Sequence, residues 1–256
     1  MYLPVPPQPD CATAWREAVR AVDAQPGHEA YNVIIDVADP TAGSTIAHPG
    51  VATIDAFLTT RAKPIETVAN TIFPAALYHR HGAPDFFDVF THRVLAKVRR
   101  GERWSGYYFE RMIDYPVASG KSPNQLWNIV TRMNDKNVTA LNKYELSLFD
   151  PVRDVDNSPY GGQCLSFLSF KILPSAPRQL ILTAQYRNHY YVEKLLGNLI
   201  GLGRLMSFVA REAGLEVGSL TIVSTHATID QPASGNRGEI KALLAQFDES
   251  VAPVAV

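Results

Sequence analysis

A chain of 256 residues with 46% hydrophobic and 19% charged side chains has enough apolar material for a large buried core, which excludes a disordered or fibrous protein. Its 24 Lys and Arg against 25 Asp and Glu leave a net charge of -1, so no overall field draws it to nucleic acid or to an anionic membrane, and any anion must meet a local site. The two cysteines, Cys11 and Cys164, lie far apart, which argues against a disulfide framework and for a reducing compartment.

The proline-rich start, MYLPVPPQPDC, lacks a basic segment followed by an apolar run. It reads as an extended lead-in over residues 1–11 rather than a signal peptide, and the expected location is the cytoplasm. Ala12 to Asp23 has helical spacing, and Ala30 to Val37 has the alternation of a strand, stopped at Asp39-Pro40. Gly43 to Gly50 is a loop. Pro64 opens a helix, IETVANTIF, that ends or kinks at Pro74. Phe86 to Val98 recurs at helical spacing with a solvated basic face. Gly101 to Gly106 is a turn beside the aromatic run Trp104, Tyr107, Tyr108 and Phe109, Ala118 to Pro123 is a loop, and Asn124 caps a helix from Gln125 to Met133.

The second half is more regular. Cys164 to Ile172 and Gln179 to Tyr186 both alternate like strands, and the turn Pro174 to Pro177 makes them a hairpin. From Tyr191 the positions Val192, Leu195, Leu196, Leu199, Leu202, Leu205, Met206 and Val209 keep helical spacing up to Gly214. Gly197 and Gly201, four apart, leave a flat face for a close neighbour. Leu195 to Ala210 carries Asn198 and Arg204 and is shorter than the ~20 residues of a membrane span, so it reads as a buried helix. Ser219 to Ser224 is a further strand and Glu239 to Phe247 a further helix, followed by a tail over 248–256. With no internal repeat and no low-complexity linker, the expectation is one α+β domain over 1–256.

The phosphate-loop, GxGxxG, HExxH and CxxC patterns are absent, and the seven histidines are scattered, so no metal site is expected. Taken singly, a cysteine on an apolar strand is a small hydrophobe, an arginine at a strand end an ion-pair partner, and an asparagine in a helix a local polar group. Together, YGGQCLSFLSFKI and LTAQYRNHYYVEKLLGNLIGLGRLMSFVAREAGLEVGSL resemble the folate-dependent thymidylate synthase family and its relatives, the pyrimidine nucleotide hydroxymethylases. The matching positions are Cys164, Arg187, Asn188, Tyr190 and Asn198, with the GLEVG turn in register. Weaker similarity runs through NQLWNIVTRM, GYYFERM and RAKPIETVANTIF, and the final APVAV resembles the family's ligand-covering tail.

The resemblance implies a large twisted mixed β-sheet packed with helices, a homodimer formed through the sheet face, a pyrimidine nucleotide or analogue as substrate, and methylenetetrahydrofolate as one-carbon donor. It makes Cys164 the nucleophile, with Tyr108 and Asn70 beside it in the catalytic group. Arg187, Asn188, Asn198, Gln185, Thr228 and Asp230 are then substrate-binding, and Tyr190 is at the cofactor. The chemistry suits these residues. A thiolate adds to C6 of the ring, C5 becomes nucleophilic, and methyl or hydroxymethyl transfer follows. Arg187 lowers the thiol pKa or binds a phosphate. Asn198 offers the donor and acceptor that the N3/O4 edge of uracil needs.

The chain departs from the family at several of these places. Asn70 stands where the family has a glutamate, and Glu66, one turn earlier, is a substitute proton shuttle. Tyr190 replaces the pterin-binding Asp, Thr228 and Asp230 replace the ribose-binding His and Tyr, and the partner's arginine pair has no counterpart, leaving Arg111, Arg132 or Arg204 to rebuild the phosphate site. These departures point to a substrate other than plain dUMP. Two other readings stay open: a non-catalytic dimeric binding or assembly module, and an enzyme that keeps the nucleophile without folate, with Asn70, Tyr108 and Tyr190 forming a new pocket.

Overall fold

The computed structural model describes residues 2–98, 107–117, 119–120, 122–155 and 163–252. In chain order the elements are β1 (Leu3–Pro4), α1 (Cys11–Asp23), β2 (Glu29–Val37), α2 (Pro49–Arg61), α3 (Ile65–Ile72), α4 (Ala75–His81) and α5 (Asp85–Val89). A π-helical turn, Phe90–Leu95, then runs into α6 (Ala96–Val98). There follow α7 (Tyr108–Ile113), α8 (Gln125–Asn134), β3 (Tyr144–Ser147), β4 (Leu165–Leu173), β5 (Gln179–Tyr186), β6 (His189–Tyr190), α9 (Leu195–Ala213), β7 (Glu216–Thr228) and α10 (Arg237–Val251). The expected turn at Gly101 to Gly106 with Trp104, positions 118 and 121 of the following loop, Gly161-Gly162 and the end of the tail lie outside the described residues.

Local chemistry sets several boundaries. The Asp10 and Asn124 side chains each accept a backbone N–H three residues on, at 2.8 Å, and so cap α1 and α8. Gly214 closes α9 at φ 63°, a left-handed conformation that glycine adopts without strain. Residues 86–98 do not form one continuous α-helix, because the π-helical turn interrupts it.

The described strands form a seven-stranded mixed sheet in the order β1-β2-β7-β5-β4-β3, with β6 also paired to β7. The expected hairpin is present, with β4 and β5 antiparallel from Leu165↔Tyr186 to Leu173↔Gln179. β5 and then β6 run parallel to β7, so β7 is the axis against which both are aligned. Alternation buries Leu168, Phe170, Ile172, Leu180, Leu182, Ala184 and Tyr186 on one face, against which α9 packs across β5 and β7. The opposite face carries Ile34, Phe167, Ile181, Thr183, Gln185 and Val223, all partly or fully exposed.

The flat face expected at Gly197 and Gly201 receives α3. A Cβ on Gly197 would stand 2.6 Å from Val68 Cβ, and one on Gly201 would stand 2.9 Å from the Ala69 carbonyl oxygen. Backbone cannot retreat as a flexible side chain can. Gly201→Ala is therefore expected to destabilise the protein by about 2 kcal/mol through overpacking. Urea denaturation measures this, with an unchanged slope if only the packing is affected.

Candidate active site

The end of the β4–β5 hairpin builds the site. Arg187 N–H donates to the Cys164 carbonyl at 2.9 Å, directly beyond the Leu165↔Tyr186 pair. There β5 stops, and β6 resumes the pairing with β7 two residues later, so Arg187 and Asn188 occupy a break between two strands. The break is secured by Thr225 Oγ1 donating to the Arg187 carbonyl at 2.9 Å and by Arg187 Nε donating to the Gln163 carbonyl at 3.0 Å.

Cys164 is partly buried, and burial pushes its thiol pKa up. Two cations, Arg187 and Lys194, act in the opposite direction. Lys194 lies in the turn entering α9, one turn ahead of Asn198, whose N–H donates to the Lys194 carbonyl at 2.9 Å. The ammonium of Lys194 also pairs with Glu193. Sequence reasoning missed Lys194, although its i,i+4 relation to Asn198 was a readable signal. Cys11 is a contrast: it is fully buried, donates to the Pro40 carbonyl at 3.2 Å, and burial holds its thiol far above the usual range.

Tyr108 is the first residue of α7. Its neighbour Phe109 anchors the helix, meeting Phe73 and Phe90 edge-to-face at ring-centroid distances of 5.7 and 4.7 Å. Burial raises the Tyr108 pKa most and nearby Cys164 raises it further, while hydrogen bonds to the Leu165 and Cys164 backbone lower it. The phenol is thus placed against the start of β4. Tyr186 approaches from β5, and its pKa is raised by burial, then by Tyr108 and Cys164.

Behind Tyr186 is a polar network. His189 stacks on the Tyr186 ring at 4.1 Å and 13°. Its Nδ1 is 3.1 Å from Ser224 Oγ and its Nε2 is 2.8 Å from Asn198 Nδ2, while Tyr191 donates to Ser224 at 3.2 Å. Burial lowers the His189 pKa to about 3, so the ring is neutral at physiological pH. With the amide in this orientation, Nε2 accepts from Asn198 and Nδ1–H donates to Ser224. Asn198 is itself buried, and among the described residues its side chain has this one hydrogen bond, to His189. His189 was read from sequence as an ordinary scattered histidine; only its tertiary contacts mark it.

Several expected site residues are placed elsewhere. Gln185 is exposed on the opposite sheet face, because the period of two that buries Ala184 and Tyr186 turns Gln185 outward. Tyr186 takes its place facing inward. Asn188 and Thr228 meet at His226, whose Nδ1 is 2.8 Å from Asn188 Oδ1, with Glu29 at 3.2 Å and Thr228 at 3.5 Å from its Nε2. Asp230 does not present a free carboxylate: it accepts the backbone N–H groups of Val192 and Glu193 at 2.8 and 3.1 Å and fixes the turn before α9. Tyr190 is partly buried in β6.

Asn70 lines a cavity of about 280 Å³ with Leu77, Arg80, Phe90, Val94 and Tyr107, and its amide donates to Glu66 at 3.0 Å. Glu66 is clamped by both Arg204 guanidinium nitrogens at 3.0 and 2.7 Å, hydrogen bonds that chiefly hold its carboxyl below the usual range. Glu66, read from sequence as a substitute proton shuttle, thus stands in a partly exposed ion pair with Arg204. Arg204 is committed with it. Arg111 is buried against Asp154 and so is not a spare phosphate ligand, whereas Arg132 is exposed, with its guanidinium 5.8 Å from the Tyr144 ring centroid.

No protein-family model matches the chain. Among curated proteins, it is 28% identical over 163 residues to a "Putative thymidylate synthase" of Methanothermobacter thermautotrophicus, an alignment covering 57% of this chain and 69% of that protein. This is a distant, thymidylate synthase-like relationship. The mixed α and β architecture is compatible with it, and among the described residues no helix is long and apolar enough to cross a membrane.

Two measurements follow from the electrostatics. Removing either cation, by Arg187→Ala or Lys194→Gln, is expected to move the pH midpoint of Cys164 alkylation upward, slowing labelling by iodoacetamide severalfold near pH 8. Asp230 is raised to about 6, by burial above all, so its folded form holds a proton that the unfolded chain has already released. Its contribution to stability is full below about pH 4 and is lost as pH rises through 6, up to about 3 kcal/mol. Denaturation across pH 4 to 7 is expected to show this fall, and Asp230→Asn to flatten it.

Proposed function

We propose that this chain is a thymidylate synthase-like transferase of the cytoplasm that adds Cys164 to a pyrimidine nucleotide or related ring other than plain dUMP and modifies C5 with a one-carbon unit. The observation that supports the reading most is the closure of the hairpin at Cys164 and Arg187, tied through Tyr186 and His189 to Asn198. The thiol gives its proton to solvent, the S–C6 bond forms, and the ring's electron pair moves toward O4. Asn198 accepts from N3–H and donates to O4, the complementary pair that its remaining oxygen and N–H can supply. C5 then attacks the carbon of a one-carbon donor of the aldehyde or iminium class, forming the C5–C bond as that carbon's π pair moves onto its oxygen or nitrogen. Loss of the C5 proton to solvent and expulsion of the Cys164 thiolate restore the ring double bond.

The donor suggested by the thymidylate synthase likeness is methylenetetrahydrofolate. The residues present do not fit its pterin edge. Tyr190 has no carboxylate, Asp230 is occupied by two backbone amides, and Glu66 is held by Arg204. The reaction is therefore written without that group.

A 5-fluoropyrimidine keeps its fluorine where the natural ring loses a proton, so once C5 has taken up a one-carbon unit the cysteine adduct cannot break down. Incubation with fluoropyrimidine base, nucleoside and nucleotide, each with methylenetetrahydrofolate and separately with formaldehyde as the one-carbon donor, is expected to give an intact-mass adduct with at least one form, absent in Cys164→Ala. Folate mass within the adduct would restore folate to the reaction. No adduct, and no thermal shift on adding nucleotides or folates, would contradict the enzyme reading and leave the binding or assembly module.

The sheet face on which Ile34, Phe167, Ile181 and Val223 are only half-buried supports a homodimer formed through that face, as apolar patches of this kind mark interfaces. Sedimentation at micromolar concentration is expected to give a dimer, and Phe167→Arg a monomer. A monomeric wild-type protein would contradict the proposal.

A further inference from the structure

The buried side chains of Tyr191, Ser224, His189 and Asn198 form a line of three hydrogen bonds. Tyr191 Oη lies 3.2 Å from Ser224 Oγ, Ser224 Oγ lies 3.1 Å from His189 Nδ1, and His189 Nε2 lies 2.8 Å from the end of the Asn198 amide. Among the described residues none of these side chains has another hydrogen-bond partner. Burial keeps His189 neutral, with its pKa lowered to about 3, so the ring carries one hydrogen. The hydrogens can then be counted. Tyr191, Ser224 and His189 supply one each for the three links. If the Asn198 amide N–H fills the last link, the His189 hydrogen goes to Ser224, and a hydroxyl hydrogen of Ser224 or Tyr191 is left in the core without an acceptor. With the amide turned over, every hydrogen is used once: Tyr191 donates to Ser224, Ser224 donates to Nδ1, and Nε2–H donates to the Asn198 oxygen. The two ends of an amide have almost the same size, so the hydrogen count assigns them and shape does not. The imidazole is held in place as well, stacked on Tyr186 at 4.1 Å and 13° and met edge-on by Tyr191 at 5.4 Å and 85°.

We propose that His189 is a specificity-determining residue: as the Nε2–H tautomer, set by Ser224 and Tyr191, it locks the Asn198 amide with its oxygen toward the imidazole, and the locked amide accepts a 4-oxo pyrimidine and rejects a 4-amino one. The proposal rests on the reading of Asn198 as the group that meets the ring edge. An asparagine free to turn over is indiscriminate. In one orientation its oxygen and N–H match N3–H and O4 of a uracil-type ring, and in the other they match the 4-amino group and N3 of a cytosine-type ring. Held in one orientation, it meets the wrong ring with donor against donor and acceptor against acceptor, so discrimination comes from repulsion. The oxygen that receives Nε2–H keeps a second lone pair for N3–H, and an N–H remains for O4. His189 touches no substrate atom and transfers no proton. It acts through Asn198 alone, and Ser224 and Tyr191 act through His189.

The lock is measured without any pyrimidine. In full-length protein whose histidines carry the heavy nitrogen isotope, the NMR shifts of the two His189 ring nitrogens at neutral pH report which one bears the proton. Nε2–H with a bare Nδ1 is expected, and Nδ1–H would overturn the proposal. The specificity is measured by exchange of the ring C5 hydrogen with solvent deuterium, on uracil-type and cytosine-type nucleotides paired so that sugar and phosphate are the same. Wild type is expected to exchange the uracil-type ring in preference. Ser224→Ala leaves Nδ1 without a partner, so both tautomers form, and the preference is expected to fall about tenfold, the scale of one buried hydrogen bond. A merely structural loss slows both rings alike, so an unchanged ratio in a folded Ser224→Ala protein would overturn the proposal. Where that variant folds poorly, the wild-type tautomer still decides the lock. Exchange of neither ring by wild type would contradict the reading of Asn198 and the specificity role with it, whereas Nδ1–H in a protein that does exchange a ring would contradict the lock alone.

Discussion

One backbone hydrogen bond, from Arg187 N–H to the Cys164 carbonyl at 2.9 Å, organises the rest of the site. It closes the β4–β5 hairpin at the end where β5 gives way to β6. Because side chains alternate along a strand, closing the ladder in this register fixes which groups face inward. Tyr186 goes in, Gln185 goes out, and Arg187 falls in the break, with its side chain tied to Gln163. A slip of one residue would reverse the arrangement. β7 then carries the register to the other half of the site, since Ser224 lies opposite Tyr186 and binds His189, which in turn binds Asn198.

The electrostatics at the thiol are a contest between burial and charge. Burial disfavours the thiolate, and Arg187 and Lys194 favour it. The carboxylates of Asp230 and Glu66 are used in other ways. Asp230 fixes the turn that delivers Lys194 and α9, and Glu66 holds Arg204 between α3 and α9. Both carboxylates are engaged in structural contacts. The groups left next to the cysteine are phenols and cations, which suit addition to an electron-poor ring and do not suit the grip of a pterin. The likeness to a thymidylate synthase over part of the chain is consistent with a shared scaffold whose pocket chemistry differs.

The elements with strong periodicity were legible in the sequence: α1, β2, α3, the β4–β5 hairpin, α9 with its glycine stop, and the glycine pair that admits α3. The short elements β1, α4, α7, β3 and β6 were not, because two to seven residues give too little pattern to separate one period from another. α2 was passed over because its apolar positions do not form one clear stripe, and a preceding loop rich in small residues blurred its start. At the site, Cys164, Arg187 and Asn198 could be named because together they match the spacing of the family that the sequence resembles. Tyr186, His189, Lys194 and His226 could not, since each acquires its role from a neighbour distant in sequence. The error at Gln185 had a local remedy, because the strand's own alternation already pointed it away from Tyr186.

The central claim is that Cys164 adds reversibly to a pyrimidine ring. The most direct measurement is exchange of the C5 hydrogen of unsubstituted pyrimidine nucleotides with solvent deuterium, followed by NMR without any one-carbon donor. Addition of the thiolate to C6 makes C5 basic enough to take up deuterium, and elimination returns the labelled ring. The account predicts exchange with wild-type protein for at least one nucleotide and none with Cys164→Ala. A ring whose C5 hydrogen is retained with every nucleotide, in a protein that binds it, would contradict the claim.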